Sequence, residues 1–242
     1  MLKKRLISVL TFNKGVLSRT KRFNPDYIYT KNQVSLWGVD EIVLLDVTRE
    51  GGYRDAFLEA ATQISDDCFA PTTIGGGIRS VEDASELFRS YGADKVSINT
   101  GALDRPELIT EMADKYGSQS VVLSIDVKDG EVFAGCGRRP TGRSATEWAK
   151  EGVRLGAGEI LLTSIVKDGS LSGYDLPLCK EVSAAVSVPM LIAGGAGNWG
   201  HFVDGFKAGA SGVCATNIYH FTESSIKAAK THMAENGVPT RL

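Results

Sequence analysis

The chain is poor in the residues that build metal and redox centres. It has only three histidines, His201, His220 and His232, and none has the spacing of a metal-ligand pair. A zinc or iron site is therefore not expected, and no cofactor is implied. His201 and His220 each precede a phenylalanine, Phe202 and Phe221, which reads as packing at helix starts. The four cysteines, Cys68, Cys136, Cys179 and Cys214, lie far apart with no CxxC pair, as expected of buried free thiols in a reducing cytoplasm. No apolar run approaches the roughly 18 residues of a membrane span, and the N-terminus lacks the apolar core of a signal peptide. A net charge of -2, with no basic stretch longer than Lys3, Lys4 and Arg5, gives no nucleic-acid signature.

What is present is a regular alternation. Short runs of Val, Ile and Leu recur, each followed by a polar loop and a helical pattern. The strand candidates are Leu6–Leu10, Glu41–Asp46, Thr72–Ile74, Lys95–Ile98, Val121–Asp126, Glu159–Ser164, Met190–Ile192 and Gly212–Ala215. The runs do not alternate apolar with polar, as expected of parallel strands covered on both sides. Helical stretches between them include Ser80–Arg89, Arg105–Tyr116, Ala145–Leu155 and Asp175–Ala185, with Ser80, Glu82 and Asp83 resembling a capped, acidic helix start. Eight such units in 242 residues match the roughly 250 residues of one (βα)8 domain. No linker divides the chain, so residues 1–242 are expected to form a single α/β (βα)8 TIM barrel.

The barrel reads as two fused halves. Ile74-Gly75-Gly76-Gly77 matches Ile192-Ala193-Gly194-Gly195, Gly92-Ala93 matches Gly209-Ala210, and Glu41-Ile42 matches Glu159-Ile160. Gly76-Gly77 and Gly194-Gly195 each follow a strand and precede a helix. Glycine lets backbone approach an anion, and a helix start presents free N–H groups. With Asn217 beyond the last strand and Asn99-Thr100 as its counterpart, these turns predict two phosphate cradles across the mouth.

Asp46, Asp126 and Asp168 fall at or beyond strand ends, on the face where this fold places chemistry. Asp126 ends an apolar run, where a partly desolvated carboxylate can serve as general acid or base. Asp168, in Lys167-Asp168-Gly169, reads as a second such group or a plain turn residue. In the repeat, Ser124–Gly130 aligns with Val9–Gly15, so Thr11 occupies the place of Asp126. A hydroxyl donates a hydrogen bond there but does not titrate near neutral pH. At the opposite strand ends, Arg5, Glu41, Lys95 and Glu159 predict a balanced charge ring over the floor, with plain stability as the other reading of that face.

From Arg5 onward the chain resembles HisF, the cyclase subunit of imidazole glycerol phosphate synthase. The resemblance rests on Asp40–Asp46, Ile74–Arg79, Ala93–Asn99, Gly117–Ser120, Gly156–Ser164, Asp168-Gly169, Ser172–Asp175 and Gly194–Gly197. It implies that the barrel takes ammonia from a separate HisH-type glutaminase, which enters at the floor and meets a bis-phosphorylated ribulosyl aminoimidazole at the top. It implies that Asp126 is one of two catalytic aspartates and that Arg5, Glu41, Lys95 and Glu159 form an ammonia gate. It places Thr163 at the substrate, and Arg19, where the family usually has lysine, in a flexible covering loop after the first strand. The chain contains no Cys–His pair suited to hydrolysing glutamine itself.

The departure lies at the other aspartate. The family reads Cys-Leu-Asp-Val there, and this chain reads Val9-Leu10-Thr11-Phe12. Ala193 also stands where the family usually has serine. Thr11 and the unusual loop Leu17–Tyr27 resemble paralogues that accompany a sugar amidotransferase in surface-polysaccharide assembly. The expected function is therefore an ammonia-receiving HisF-type subunit that supports amidination of such a sugar. A histidine-pathway cyclase and a non-catalytic conduit are the alternatives.

Overall fold

The computed structural model describes residues 4–28, 38–67, 69–215 and 225–240. The chain begins with β1 (Arg5–Asn13), β2 (Val16–Lys21), β3 (Asn24–Ile28), β4 (Glu41–Asp46), α1 (Arg54–Asp67), β5 (Thr72–Gly75), α2 (Val81–Ser90) and β6 (Lys95–Ile98). It continues through α3 (Thr100–Asp104), α4 (Glu107–Tyr116), β7 (Val121–Lys128), β8 (Glu131–Ala134), β9 (Arg139–Ser144), α5 (Ala145–Leu155) and β10 (Glu159–Ser164). It ends with α6 (Leu176–Ala185), β11 (Met190–Ala193), α7 (Trp199–Lys207), β12 (Gly212–Ala215) and α8 (Ser225–Glu235).

Eight strands close on themselves in the order β1, β4, β5, β6, β7, β10, β11, β12 and back to β1, every neighbour parallel. This is the expected (βα)8 barrel, and all eight strand candidates are present. The two burial environments of its strands explain the unbroken apolar runs. Ile7, Val9, Val43, Val122, Leu161, Leu191 and Cys214 form one cluster inside the barrel. Leu6, Leu10, Ile42, Leu44, Val96, Val121 and Leu123 belong to a second, between the sheet and the helices. Successive residues of each strand thus enter different cores, and both must be apolar.

Helix starts follow the capping chemistry. The Ser80 hydroxyl accepts from the Asp83 N–H while the Asp83 carboxylate accepts from the Ser80 N–H, a complete capping box. The Asn198 side chain caps α7 by accepting from the His201 N–H, and the His201 Nδ1 accepts from the Gly197 N–H, so His201 does sit at a helix start. The helix expected over Arg105–Tyr116 is present as α4 from Glu107, with Pro106 at its N-cap, and a separate five-residue helix, α3, precedes it.

Two antiparallel hairpins rise from the barrel beyond β1 and β7. Asn13 turns into β2 through Lys14 and Gly15, at φ 55° and 73°, and Lys128 turns into β8 through Asp129 and Gly130, at φ 54° and 81°. These are the left-handed pairs that tight hairpins require. Thr11 pairs with Ser18 and Asp126 with Phe133, so the repeat extends through strand, turn and returning strand at one offset.

Among the described residues no helix is long and apolar enough to cross a membrane. Cys136, Cys179 and Cys214 are free thiols. The last two are buried, but Cys136 is only half-buried, because it sits on a turn at the mouth and not in a core. Cys68 and His220 lie outside the described residues.

Candidate functional site

The C-terminal strand ends surround a cavity of about 350 Å³. Eleven residues expected at a site line it together: Thr11, Arg19, Gly76, Gly77, Asn99, Thr100, Asp126, Thr163, Asp168, Gly194 and Gly195. Asn217 lies outside the described residues.

Asp126 stands on the last inward-facing position of β7, beside Thr163 on β10. Its Oδ2 accepts from the Asn99 Nδ2 at 2.8 Å. Asn99 is thus committed to the carboxylate and to the Phe133 carbonyl, while the Thr100 hydroxyl accepts from the Gly135 N–H at 2.9 Å. Burial pushes Asp126 up to about 7, and the charge of Asp168 pushes the same way against a hydrogen bond from Ser124. Burial also raises Asp168, opposed by the Phe23 N–H, the Thr20 hydroxyl and Arg19. Asp126, raised by burial and by the neighbouring Asp168 charge in a half-enclosed cavity, can hold a proton near neutral pH.

Thr11 is buried, and its hydroxyl donates to the Ser18 carbonyl at 2.5 Å. Its one proton is therefore spent on the hairpin. Asp168 also anchors that hairpin. Its Oδ2 accepts from the Phe23 N–H at 3.0 Å and its carbonyl from the Arg22 N–H at 3.1 Å. Arg49 completes the clasp by donating to the Phe23 carbonyl at 2.6 Å. The segment expected as a covering loop forms a hairpin of β2 and β3 whose Arg19, Thr20 and Phe23 line the mouth, with Arg19 paired to Asp26 within it.

The glycine turns differ in tightness. A Cβ on Gly76 would stand 2.4 Å from the Asp46 carbonyl, and one on Gly195 would stand 2.2 Å from the Gly173 carbonyl, both at left-handed φ. Backbone approach, and not only φ, fixes glycine at these two positions. A Cβ on Gly77 would meet nothing closer than the Arg54 guanidinium at 3.5 Å, so its left-handed φ of 69°, and not backbone approach, favours glycine there.

At the other end of the barrel the four charges close a ring. Arg5 Nη1 bonds Glu41 at 2.8 Å and its Nη2 bonds Glu159 at 2.5 Å, while Lys95 Nζ bonds Glu41 at 2.9 Å and Glu159 at 2.7 Å. Each carboxylate oxygen takes one cation. The Thr73 hydroxyl adds a 3.1 Å bond to Glu41.

A family model described as "Histidine biosynthesis protein" matches residues 8–225. The whole chain also aligns with curated imidazole glycerol phosphate synthase subunits HisF. It is 43% identical to that of Thermococcus gammatolerans, covering 99% of that protein, and 41% identical to that of Pyrococcus furiosus over its full length. It is 42% identical to that of Chloroherpeton thalassium, again over the full length of both chains. The chain belongs to the HisF family.

Several residues of this HisF-family mouth escaped the sequence reading. Arg49 and Arg138 line the cavity, as does Cys136, whose thiol burial raises, with the Asp126 charge acting in the same direction. Arg138 and Cys136 come from the turn between β8 and β9, and Arg49 from the loop after β4. The usable signal was Asp129-Gly130, a strong tight-hairpin dipeptide, which predicts β8 and so brings the following turn back over the mouth.

Proposed function

We propose that this HisF-family chain is the ammonia-receiving subunit of a glutamine-dependent synthase. It sits floor-first on a separate HisH-type glutaminase and holds a bis-phosphorylated substrate at its mouth. The observation that carries the reading is the two-ended barrel: a self-neutralising charge ring at one end, and a raised aspartate between two glycine turns at the other. In this reading Gly76-Gly77 and Gly194-Gly195 hold the phosphates with Arg19, Thr100, Thr163 and Asn217. Asp126 moves protons on the substrate, Asn99 orients its carboxylate, and burial, helped by the Asp168 charge, holds it near neutral pH. Arg5, Glu41, Lys95 and Glu159 gate ammonia into the barrel.

Within that reading, Thr11 favours an acceptor other than the histidine-pathway substrate. We infer a role in amidination of a surface-polysaccharide sugar, as in lipopolysaccharide assembly, together with a sugar amidotransferase. The second reading is a histidine-biosynthesis cyclase that forms imidazole glycerol phosphate and aminoimidazole carboxamide ribotide. It is favoured by the 41–43% identity to subunits carrying that synthase name. A non-catalytic conduit needs the mouth to be inert, and the paired carboxylates argue against it.

The test compares glutamine-dependent with ammonia-dependent turnover of the reconstituted complex, with and without Lys95→Glu. The reversal is expected to lower the glutamine-dependent rate far more than the ammonia-dependent one. Equal glutamine-dependent rates in the two proteins would overturn the gate.

A further inference from the structure

The mouth carries more positive charge than its glycine turns account for. The ionisable side chains that line it are Arg19, Arg49, Arg79 and Arg138 against Asp46, Asp126 and Asp168. Asp126 holds its proton up to about pH 7. Asp46 is turned to its own loop, where its Oδ1 accepts from the Thr48 N–H at 3.0 Å. Arg19 is paired to Asp26 within its hairpin, and Arg79 follows Gly77 by two residues and so belongs to a glycine turn. Arg49 and Arg138 stand at neither glycine turn, and among the described residues neither forms an ion pair.

These two guanidiniums converge from different connections. Burial raises the Cys136 thiol, and the charges of Arg49 and Arg138 both draw it back down, so both stand within reach of one atom that also feels Asp126. The turn that carries Cys136 and Arg138 is held on three sides. The Gly135 N–H donates to the Thr100 hydroxyl at 2.9 Å, the Cys136 Sγ lies 3.7 Å from the Val47 carbonyl, and a Cβ on Gly137 would stand 2.9 Å from the Phe23 ring. Arg49 donates to the Phe23 carbonyl at 2.6 Å and to the Asn24 side chain at 3.3 Å, both neutral acceptors. Arg138 spends only its Nε, on the Gly135 carbonyl at 3.3 Å, and its two Nη groups have no partner among the described residues. Two fixed cations with N–H groups to spare, beside a protonated Asp126, call for an anion from outside the chain. A carboxylate matches the planar fork of a guanidinium with two parallel hydrogen bonds. Thr11 works to the same end, because an acid at that position would repel an incoming anion and a hydroxyl does not.

We propose that Arg49 and Arg138 form a third anion subsite, separate from the two glycine turns, which takes a carboxylate carried by the substrate beside Asp126. The acceptor is then a phosphorylated acid, since a phosphate ester without an acid group leaves both guanidiniums unanswered. The proposal rests on the reading that the glycine turns hold phosphate.

The probes are 6-phosphogluconate and glucitol 6-phosphate, which share one chain length and one phosphate and differ in a terminal carboxylate. Titration calorimetry on the full chain should give a Kd for 6-phosphogluconate at least about tenfold below that for glucitol 6-phosphate. The gap should narrow as salt is raised, because both guanidiniums are exposed. Arg138→Gln should close most of the gap while leaving the Kd for glucitol 6-phosphate within about twofold of wild type. Arg49→Gln should also close it, and Arg49→Lys, which keeps the charge without the fork, should retain part of it. Inorganic phosphate is titrated into each protein as the control for intact glycine turns. A smaller gap in the wild type, or one that survives Arg49→Gln and Arg138→Gln combined, overturns the subsite while phosphate binding keeps the reading of the turns. Absence of phosphate binding to the wild type overturns both.

Discussion

Thr11 and Asp126 stand at equivalent places in the two halves of the barrel. Each is the residue at which a barrel strand takes its first antiparallel partner, Ser18 for Thr11 and Phe133 for Asp126. Both strands then turn through left-handed pairs at matching positions. The equivalence is one of backbone geometry and not of letters alone, so a carboxylate placed at 11 would enter the cavity opposite Asp126.

The first prediction concerns that substitution. Wild-type cyclisation of the ribulosyl aminoimidazole bis-phosphate should be slow or absent, since a positioned acid or base is worth about 10²–10⁴ in rate. Thr11→Asp should recover part of it and lower the melting temperature, because the 2.5 Å bond to the Ser18 carbonyl is lost and a charge is buried. Ammonia-dependent turnover of the two proteins decides the matter. Fast wild-type cyclisation, unimproved by the added carboxylate, would return the chain to the histidine pathway.

A second prediction is pH dependence. Asp126 rises from an ordinary 3.8 to about 7 on folding, so the folded state holds its proton more tightly than the unfolded chain. Its contribution to stability is present below 3.8 and lost as pH climbs to about 7. Against Asp126→Asn, the wild type should lose stability over that range and level off above it. Turnover at fixed free ammonia should show a limb near pH 7. Asp168→Asn should move this limb to lower pH, since it removes the charge that raises Asp126 while keeping an acceptor for the Phe23 N–H.

The third concerns the floor. Lys95→Ala strips one bond from each of Glu41 and Glu159, which are almost wholly buried. Uncompensated buried charge of this kind costs about 2–4 kcal/mol. In a chain of this size that corresponds to roughly 5–15 °C of melting temperature. Adding Glu159→Gln to Lys95→Ala should restore part of the loss. A melting temperature unchanged by Lys95→Ala would mean that the ring contributes nothing to stability.

The fourth separates the glycine turns. Crystals soaked in phosphate should show anions beside Gly77 and Gly195. Gly195→Ala should be strongly destabilising and abolish its anion, because the methyl group would meet the Gly173 carbonyl at 2.2 Å. Gly77→Ala should cost only about 1–2 kcal/mol of left-handed strain. Equal effects at the two positions would show that backbone approach is not what fixes Gly195.

The barrel was legible because each strand feeds two apolar cores and so reads as an unbroken run. The hairpins were less legible, since only Asp129-Gly130 signals one of them. β9 is Arg139–Ser144, with Pro140 and Gly142 and no apolar alternation, because it lies on the surface where packing writes no pattern. β2 and β3 read as a loop for a similar reason. Their anchors are backbone groups, the Phe23 N–H and carbonyl, which leave no trace in residue identity. The candidate site was legible where chemistry requires a residue type, at Asp126, the glycine turns and the floor charges. It was illegible at Arg49, Arg138 and Cys136, which reach the mouth only through tertiary folding of exposed turns.

The charge ring differs in connectivity from two separate ion pairs. In a pair, breaking the one link orphans both charges. In a four-membered cycle every group has two neighbours, so breaking any single edge leaves a chain in which no charge is alone. The floor can therefore part at one edge, for instance between Lys95 and Glu159, while Glu159 stays bonded to Arg5 and Lys95 to Glu41. Opening then costs one contact and no buried orphan charge, and the three remaining links hold the groups in register for reclosure.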